Sequence, residues 1–182
     1  MVFKLDPEDT ILFIIDLQEK LMKVMEYREK VYKNTNLLLE AAKQFSIPVI
    51  VSEQYPKGMG ATAKDIAQNF PEVYHYLEKT SFSAYKETLQ EILQKIGHKT
   101  IIITGSETHV CVFQTTRDLI DAGYNVQLVS DAVCSRTKQN YKNGLDLMKS
   151  LGAVITNTET VVFDLLQYSD IPQFKVLSPL LK

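Results

Sequence analysis

Three residues in this chain of 182, a cysteine, a carboxylate and a lysine, stand where apolar runs stop and are equipped for chemistry. Cys111 lies in TIIITGSETHVCVFQTTRD, residues 100–118. The β-branched residues 100–104 read as a strand buried on both faces of a parallel sheet, and Gly105 ends it. From His109 onward Val112, Thr115, Thr116, Leu119 and Ile120 follow a helical period until Gly123. Cys111 therefore falls in the first turn of a helix entered directly from a strand. The unpaired N–H groups and the positive end of the helix dipole at such a place favour a thiolate over a thiol and can receive a developing oxyanion. Asp16 closes the apolar run 11–15, and Lys79 follows the mixed-polarity run 73–78.

Taken singly, each has an ordinary explanation: a small core cysteine, a strand-end acid, a solvated lysine. Together they form a nucleophile set in which the acid takes the thiol proton, the ammonium holds negative charge nearby and the helix start stabilises sulfur and oxyanion. No histidine is required. His109 is two residues from Cys111, a spacing that points the two side chains to different helix faces, so it is read as a pocket-wall or capping residue. Ser106 has no G-x-S-x-G elbow around it. Cys134, in DAVCSRT, reads as packing.

The elements that must position these residues alternate. Strands are expected over 11–15, 47–51, 73–78, 100–104, 125–129 and 153–156, and helices over 29–45, 64–69, 85–96, 109–122 and 141–151, with a last helix capped by Thr158. This alternation specifies an α/β fold, a three-layer α/β/α sandwich with a six-stranded parallel sheet in the order 3-2-1-4-5-6, its crossovers right-handed. In that order strands one and four are neighbours where the winding reverses. Asp16 and Cys111 then sit on opposite lips of the resulting crevice, with Lys79 at the same carboxyl edge. The segment EQYPKGMGATA, residues 53–63, has no third glycine opening a helix and is read as a flexible pocket rim. The tail, residues 174–182, has no partner in the pattern and either covers the domain or docks on a second copy.

The bulk numbers limit the partners. The length suits one domain burying about 70% of its unfolded surface. With 20 basic and 22 acidic residues and a net charge of −2, there is no long-range attraction for nucleic acid or an anionic membrane, so a small-molecule substrate is expected. Two cysteines make no disulfide framework, charge enters the N-terminal MVFKLDPEDT early, and no window approaches membrane-spanning length. A cytoplasmic protein, neither exported by a classical signal nor embedded in a membrane, is the expectation.

The motifs FIIDLQ, EKTSFSAY, GSETHVCV and LVSDAV, taken together over essentially the whole length, resemble the isochorismatase-like cysteine hydrolases. The resemblance implies a catalytic triad of Asp16, Lys79 and Cys111, a cis peptide at Ser106–Glu107, and an oxyanion hole from the N–H groups of Glu107 and Cys111. Its motifs and the rim loop nominate Gln18, Gln54, Tyr55 and Phe82, with His109, as lining of the substrate pocket. Nicotinamidases of this superfamily carry an Asp-x-His plus His metal site after the second strand. Here that region is SEQYPKGMG, without histidine, so no metal and no cofactor are expected. The sequence is more similar to the metal-free isochorismatase-domain and YcaC-related branch, in which some members carry a ribonuclease label that this net charge gives no reason to adopt. The implied function is hydrolysis of a small amide or related acyl compound through a thioester. The alternatives are an isochorismatase-type vinyl ether hydrolase, and a binding or scaffolding homo-oligomer that keeps the pocket.

Overall fold

Every residue of Thr10–Ile15 (β1) and of Thr100–Ser106 (β4) is buried, which is what strands at the centre of a doubly covered parallel sheet require. The computed structural model describes residues 3–181. Met1 and Val2 of the N-terminal stretch read above, and Lys182 of the tail, lie outside the described residues. After β1 the chain runs through Glu19–Met22 (α1), Arg28–Gln44 (α2), Val49–Gln54 (β2), Pro56–Met59 (α3), Lys64–Ala67 (α4), His75–Lys79 (β3) and Glu87–Ile96 (α5). Beyond β4 come Phe113–Asp121 (α6), Asn125–Cys134 (β5), Lys138–Ser150 (α7), Val154–Thr156 (β6), Thr158–Leu166 (α8) and Pro172–Leu177 (α9). The six strands pair in the order β3-β2-β1-β4-β5-β6, and all the pairs are parallel.

Alternation along each central strand divides the core between the two faces. Leu12, Ile14 and Ile102 pack with α2 and α8 on one side, while Ile11, Phe13, Ile15, Ile101 and Ile103 pack with α5, α6 and α7 on the other. The tail belongs to the first side. Leu177 is fully buried there, and Phe174 and Leu181 pack against the same cluster, so the tail covers its own domain.

Several expected boundaries move. β2 starts two residues past the expected start and continues to Gln54, which takes Glu53 and Gln54 out of the rim loop and into the sheet. β5 continues to Cys134 because the β4–β5 register shifts between Ile103 and Gly105 and resumes at Val133. The polar pair Ser130–Asp131 marks that irregularity and not a strand end. Asn157, not Thr158, caps α8, since its side chain accepts from the Thr160 N–H. The Thr158 hydroxyl donates instead to Asp131 Oδ1 at 2.8 Å. Among the described residues no helix is long and apolar enough to cross a membrane.

Candidate active site

Register gathers the site. Ile15 pairs with Ser52 and with Gly105, Gln54 pairs with Lys79, and Ser106 pairs with Cys134, so residues from β1, β2, β3 and β4 end at one edge of the sheet. Asp16 leaves β1 in the left-handed region, at φ 51°, a conformation that aspartate tolerates better than most residues. Its N–H donates to Ser52 O at 3.1 Å, and its carbonyl accepts from Ser106 Oγ at 2.8 Å. These two bonds aim the side chain inward. The carboxylate is fully buried, with Oδ1 accepting from Ser52 Oγ at 2.8 Å and Oδ2 from Lys79 Nζ at 2.5 Å.

Lys79 is not the solvated charge that it could have been. Its side chain is 3% exposed, and Nζ also donates to Gln54 Oε1 at 2.7 Å and to the Phe82 carbonyl at 3.1 Å. A buried ammonium needs such company, because neither charge of an ion pair tolerates the interior alone. Burial raises the Asp16 pKa above the usual carboxylate range, and Lys79, Ser52 and Cys111 oppose that shift.

Cys111 arrives from β4 through a tightly fitted turn. Gly105 has φ 145°, and a Cβ there would lie 2.2 Å from Ile15 O, so only glycine lets β4 pass β1 this closely. The Ser106–Glu107 peptide is cis. A π-helical turn, Thr108–Val112, then leads into α6 and carries Cys111. The thiol lies close enough to the ion pair for the charges of both Asp16 and Lys79 to act on it. Burial, then the Asp16 charge, push its pKa up to about 12. Against the expectation that the unpaired N–H groups and the helix dipole favour a thiolate, desolvation and a neighbouring anion push the thiol the other way.

The remaining nominated residues divide. Gln54 touches the ion pair directly through Lys79. Tyr55 and Phe82 are half-exposed next to it, since the Tyr55 N–H donates to Lys79 O and the Phe82 carbonyl accepts from Lys79 Nζ. Gln18 is fully buried and its amide is already occupied. Nε2 donates to Gln54 O and Gly60 O at 3.0 and 2.6 Å, and Oε1 accepts from the Gln54 N–H at 2.7 Å. It ties the rim to β2 and does not line an open pocket. His109 Nδ1 lies 3.0 Å from Ser135 Oγ, and the Glu107 carboxylate holds Arg136 Nε at 3.1 Å, so both side chains fasten the nucleophile turn to the end of β5.

Four contributors escaped the sequence reading. Ser52 is a buried hydroxyl in the apolar run VIVSEQ, and the polar interruption was its signal. Ser106, which its sequence context marks only as a non-nucleophile, donates its hydroxyl to Asp16 O. Glu53 is buried and accepts from the Thr62 N–H at 2.6 Å, Thr62 Oγ1 at 2.7 Å and Tyr76 OH at 2.8 Å, pinning the rim. Gly144 in α7 leaves room for the π turn, because a Cβ there would lie 2.9 Å from Thr108 C and O. Nothing in its helical surroundings announces that contact. Both cysteines are free, and among the described residues no group of three or more His, Cys, Asp and Glu side chains could hold a metal ion.

A parallel sheet in this order, with a buried acid–lysine pair and a thiol beside it at its carboxyl edge, defines a class of α/β protein. The isochorismatase domain model matches residues 10–160, and the chain belongs to the isochorismatase family. It is 36% identical over 184 residues to the secreted isochorismatase effector Isc1 of Phytophthora sojae, covering 98% of this chain and 87% of that one. Isochorismatase domain-containing protein 2 of Xenopus laevis is 36% identical over 173 residues, covering 94% and 83%. Among solved structures, the MAR1 ribonuclease of Caenorhabditis elegans superposes with a TM-score of 0.93 at 36% identity, covering 98% of this chain and 92% of that one. YcaC of Escherichia coli, described as an octameric hydrolase of unknown specificity, superposes at 0.91 with 24% identity, covering 99% and 91%, a likeness of fold.

Proposed function

We propose that this protein is a cysteine-dependent hydrolase of a small amide or related acyl compound, with Asp16, Lys79 and Cys111 as its catalytic residues. The observation that carries the reading is the buried Asp16–Lys79 ion pair, with the Cys111 thiol within reach of both charges. Asp16, made more basic than an ordinary carboxylate by burial, accepts the Cys111 proton as sulfur attacks the substrate carbonyl. The C–S bond forms and the carbonyl oxygen gains the negative charge, which the N–H groups of Glu107 and Cys111 receive. The C–N bond then breaks, the amine takes the proton from Asp16, and a thioester remains. Water gives a proton to Asp16 and attacks the thioester. The acid departs, and the proton returns to sulfur.

Lys79 holds Asp16 in place and stays close to sulfur, while Gln54 fixes Lys79. Tyr55, Phe82 and His109 would frame the entrance. A small molecule, and not a nucleic acid or a membrane, remains the partner we assign, on the net charge of −2. A cytoplasmic setting fits the two free thiols. Assembly of identical copies fits the half-exposed aromatics Tyr55 and Phe82, and sizing in solution tests it.

The mechanism is tested by following alkylation of Cys111 by iodoacetamide through intact mass, in the wild type and in Asp16→Asn. The wild type should label faster, and a panel of small amides should leave an acyl adduct on Cys111 that Asp16→Asn does not form. Equal, slow labelling of both proteins, with no adduct, would remove the activated thiol.

A further inference from the structure

We infer that Thr115 and Asp118 of α6 are positioning residues for Lys79, because they hold the loop that cradles its ammonium against the helical segment that carries Cys111. The inference rests on the roles proposed above for Asp16, Lys79 and Cys111, and adds what sets the lysine beside the thiol.

The sheet alone does not place the lysine head. β2 and β1 lie between β3 and β4, so three strand spacings, about 14 Å, separate the two backbones. Lys79 crosses that gap on a flexible four-carbon stem, and its position is set by the groups that receive Nζ. An ammonium has three donors. Asp16 Oδ2 and Gln54 Oε1 take two, and the carbonyls of Phe82, at 3.1 Å, and Ser81, at 3.4 Å, are left to share the third.

Those two carbonyls belong to residues 80–86, which form neither strand nor helix between β3 and α5. The loop is fixed from outside instead. Ser83 Oγ donates to Asp118 Oδ2 at 2.6 Å, and the Ala84 N–H donates to Thr115 Oγ1 at 2.9 Å. Within the loop, Ser81 Oγ donates to the Ser83 carbonyl at 2.8 Å. Ser83, Ala84 and Thr115 are all buried, so these bonds are shielded from water. Thr115 and Asp118 are three residues apart and hence neighbours on one helix face. The π turn carrying Cys111 runs directly into that helix, so sulfur and the lysine cradle are anchored to one rigid segment. The other Asp118 oxygen pairs with Arg117, whose side chain is 43% exposed, and an exposed pair of that kind holds little.

A loosened loop withdraws the carbonyls and lets Nζ move away from Asp16 and sulfur. Lys79 lowers the pKa of both groups, so its retreat makes Asp16 more basic and a developing thiolate less stable. The other neighbours of the carboxylate, Ser52 and Cys111, supply no cation in its place.

Two readouts on the full chain test this. Reductive methylation of Lys79 by formaldehyde and cyanoborohydride, followed by peptide mass, reports where the lysine is without any chemistry at sulfur. The pH–rate profile of Cys111 alkylation by iodoacetamide reports what the lysine does. The variants are Asp118→Ala and Thr115→Val, with Asp118→Asn and Thr115→Ser, which keep an acceptor for the loop. Thr35→Val, which removes the buried Thr35–Thr104 bond on the opposite face of the sheet, controls for lost stability. Asp118→Ala and Thr115→Val should methylate at Lys79 about tenfold faster than the wild type, as the loop opens locally. Their alkylation inflection should move up by about half a unit, roughly threefold in proton affinity. The two conservative variants should restore both readouts, and Thr35→Val should leave both unchanged. Lys79 as protected in Asp118→Ala and Thr115→Val as in the wild type, no rescue by the conservative variants, or an equal change in Thr35→Val at a similar loss of stability would each overturn the positioning role. A wild-type alkylation profile without a plateau, with Lys79 methylating faster only in the loop variants, supports the positioning role and removes the proposed hydrolysis, so the two failures are distinct.

Discussion

Replacing Lys79 with methionine removes the cation from the buried pair while keeping most of the side-chain volume. Asp16 is then left fully buried with Ser52 Oγ and the Cys111 thiol as neighbours. Removal of one partner of a buried ion pair costs about 3 to 5 kcal/mol. The protein has one escape, which is to protonate Asp16. Relative to an unfolded carboxyl at its ordinary value of 3.8, that escape costs about 4 kcal/mol at pH 7 and about 1.4 less for each unit of acidification. The charge penalty is therefore capped near 4 kcal/mol at pH 7 and shrinks to about 2 at pH 5. The sign follows from proton counting: with the folded pKa above 3.8, the native state holds more protons, so stability falls as pH rises from about 4 through the folded pKa and then levels. In the variant this window reaches to higher pH than in the wild type. Urea unfolding of the wild type, Lys79→Met and Asp16→Asn/Lys79→Met between pH 5 and pH 8 measures it, using about 1 kcal/mol as the smallest meaningful difference. The double variant also loses the bonds to Gln54 and Phe82 but strands no charge, so it should be less pH-dependent than the single one. A loss in Lys79→Met that is below that difference at pH 7, or that does not vary with pH, would show that Lys79 does not neutralise Asp16.

Gly144→Ala should lower stability by about 1 to 3 kcal/mol and slow Cys111 alkylation, although alanine is the better helix former, because its Cβ would meet the backbone of the π turn; a stabilised variant with unchanged labelling would refute that contact. Ser52→Ala leaves Asp16 Oδ1 without its hydroxyl donor and should cost about 1 to 3 kcal/mol by thermal or urea unfolding. Glu53→Gln should loosen the rim by weakening its bonds to Thr62 and Tyr76, seen as faster amide exchange at residues 60–63 with the core unchanged. Cys134 is pushed up to about 12 by burial, from an ordinary value of 9.0, so the native state holds its proton through a range where the unfolded chain has lost it. Stability should fall by about 1.4 kcal/mol per unit above pH 9 from this thiol, and Cys134→Ala should reduce that slope.

The strand order, the two central strands and the placing of Asp16 and Cys111 are legible because they rest on a strong local signal, apolar runs of fixed length that end in a polar residue or glycine, and the strand order then brings Lys79, after a mixed-polarity run, to the same edge. What escaped depends on contacts between segments distant in the chain. Gln18 looked like a pocket residue by its motif, but only the fold shows Gln54 and Gly60 occupying its amide. Gly144 reads as a weak point in a helix until the backbone of Thr108 is placed against it. The tail lacked a partner in the pattern because its partner is a cluster assembled from β1, α2 and α8. The protonation of Cys111 departs from expectation for the same reason, since helix position is visible in sequence and desolvation is not.

The raised thiol pKa and the proposed chemistry agree once charge is followed through the reaction. At rest the hollow contains one negative group, Asp16, one positive group, Lys79, and a neutral thiol. When the proton moves from sulfur to Asp16, the negative charge moves to sulfur, and Lys79 interacts with either position. The buried net charge stays the same at every stage, so no step has to create an unpaired ion in a low-dielectric interior. A free thiolate facing the Asp16 carboxylate would break that balance, and a resting thiolate is therefore not needed. A pH–rate profile for Cys111 alkylation distinguishes the two routes. Transfer to Asp16 gives a plateau above the Asp16 pKa, whereas reaction through a solvent-generated thiolate rises tenfold per unit toward about 12, and that rise with no plateau would leave Asp16 without a catalytic part.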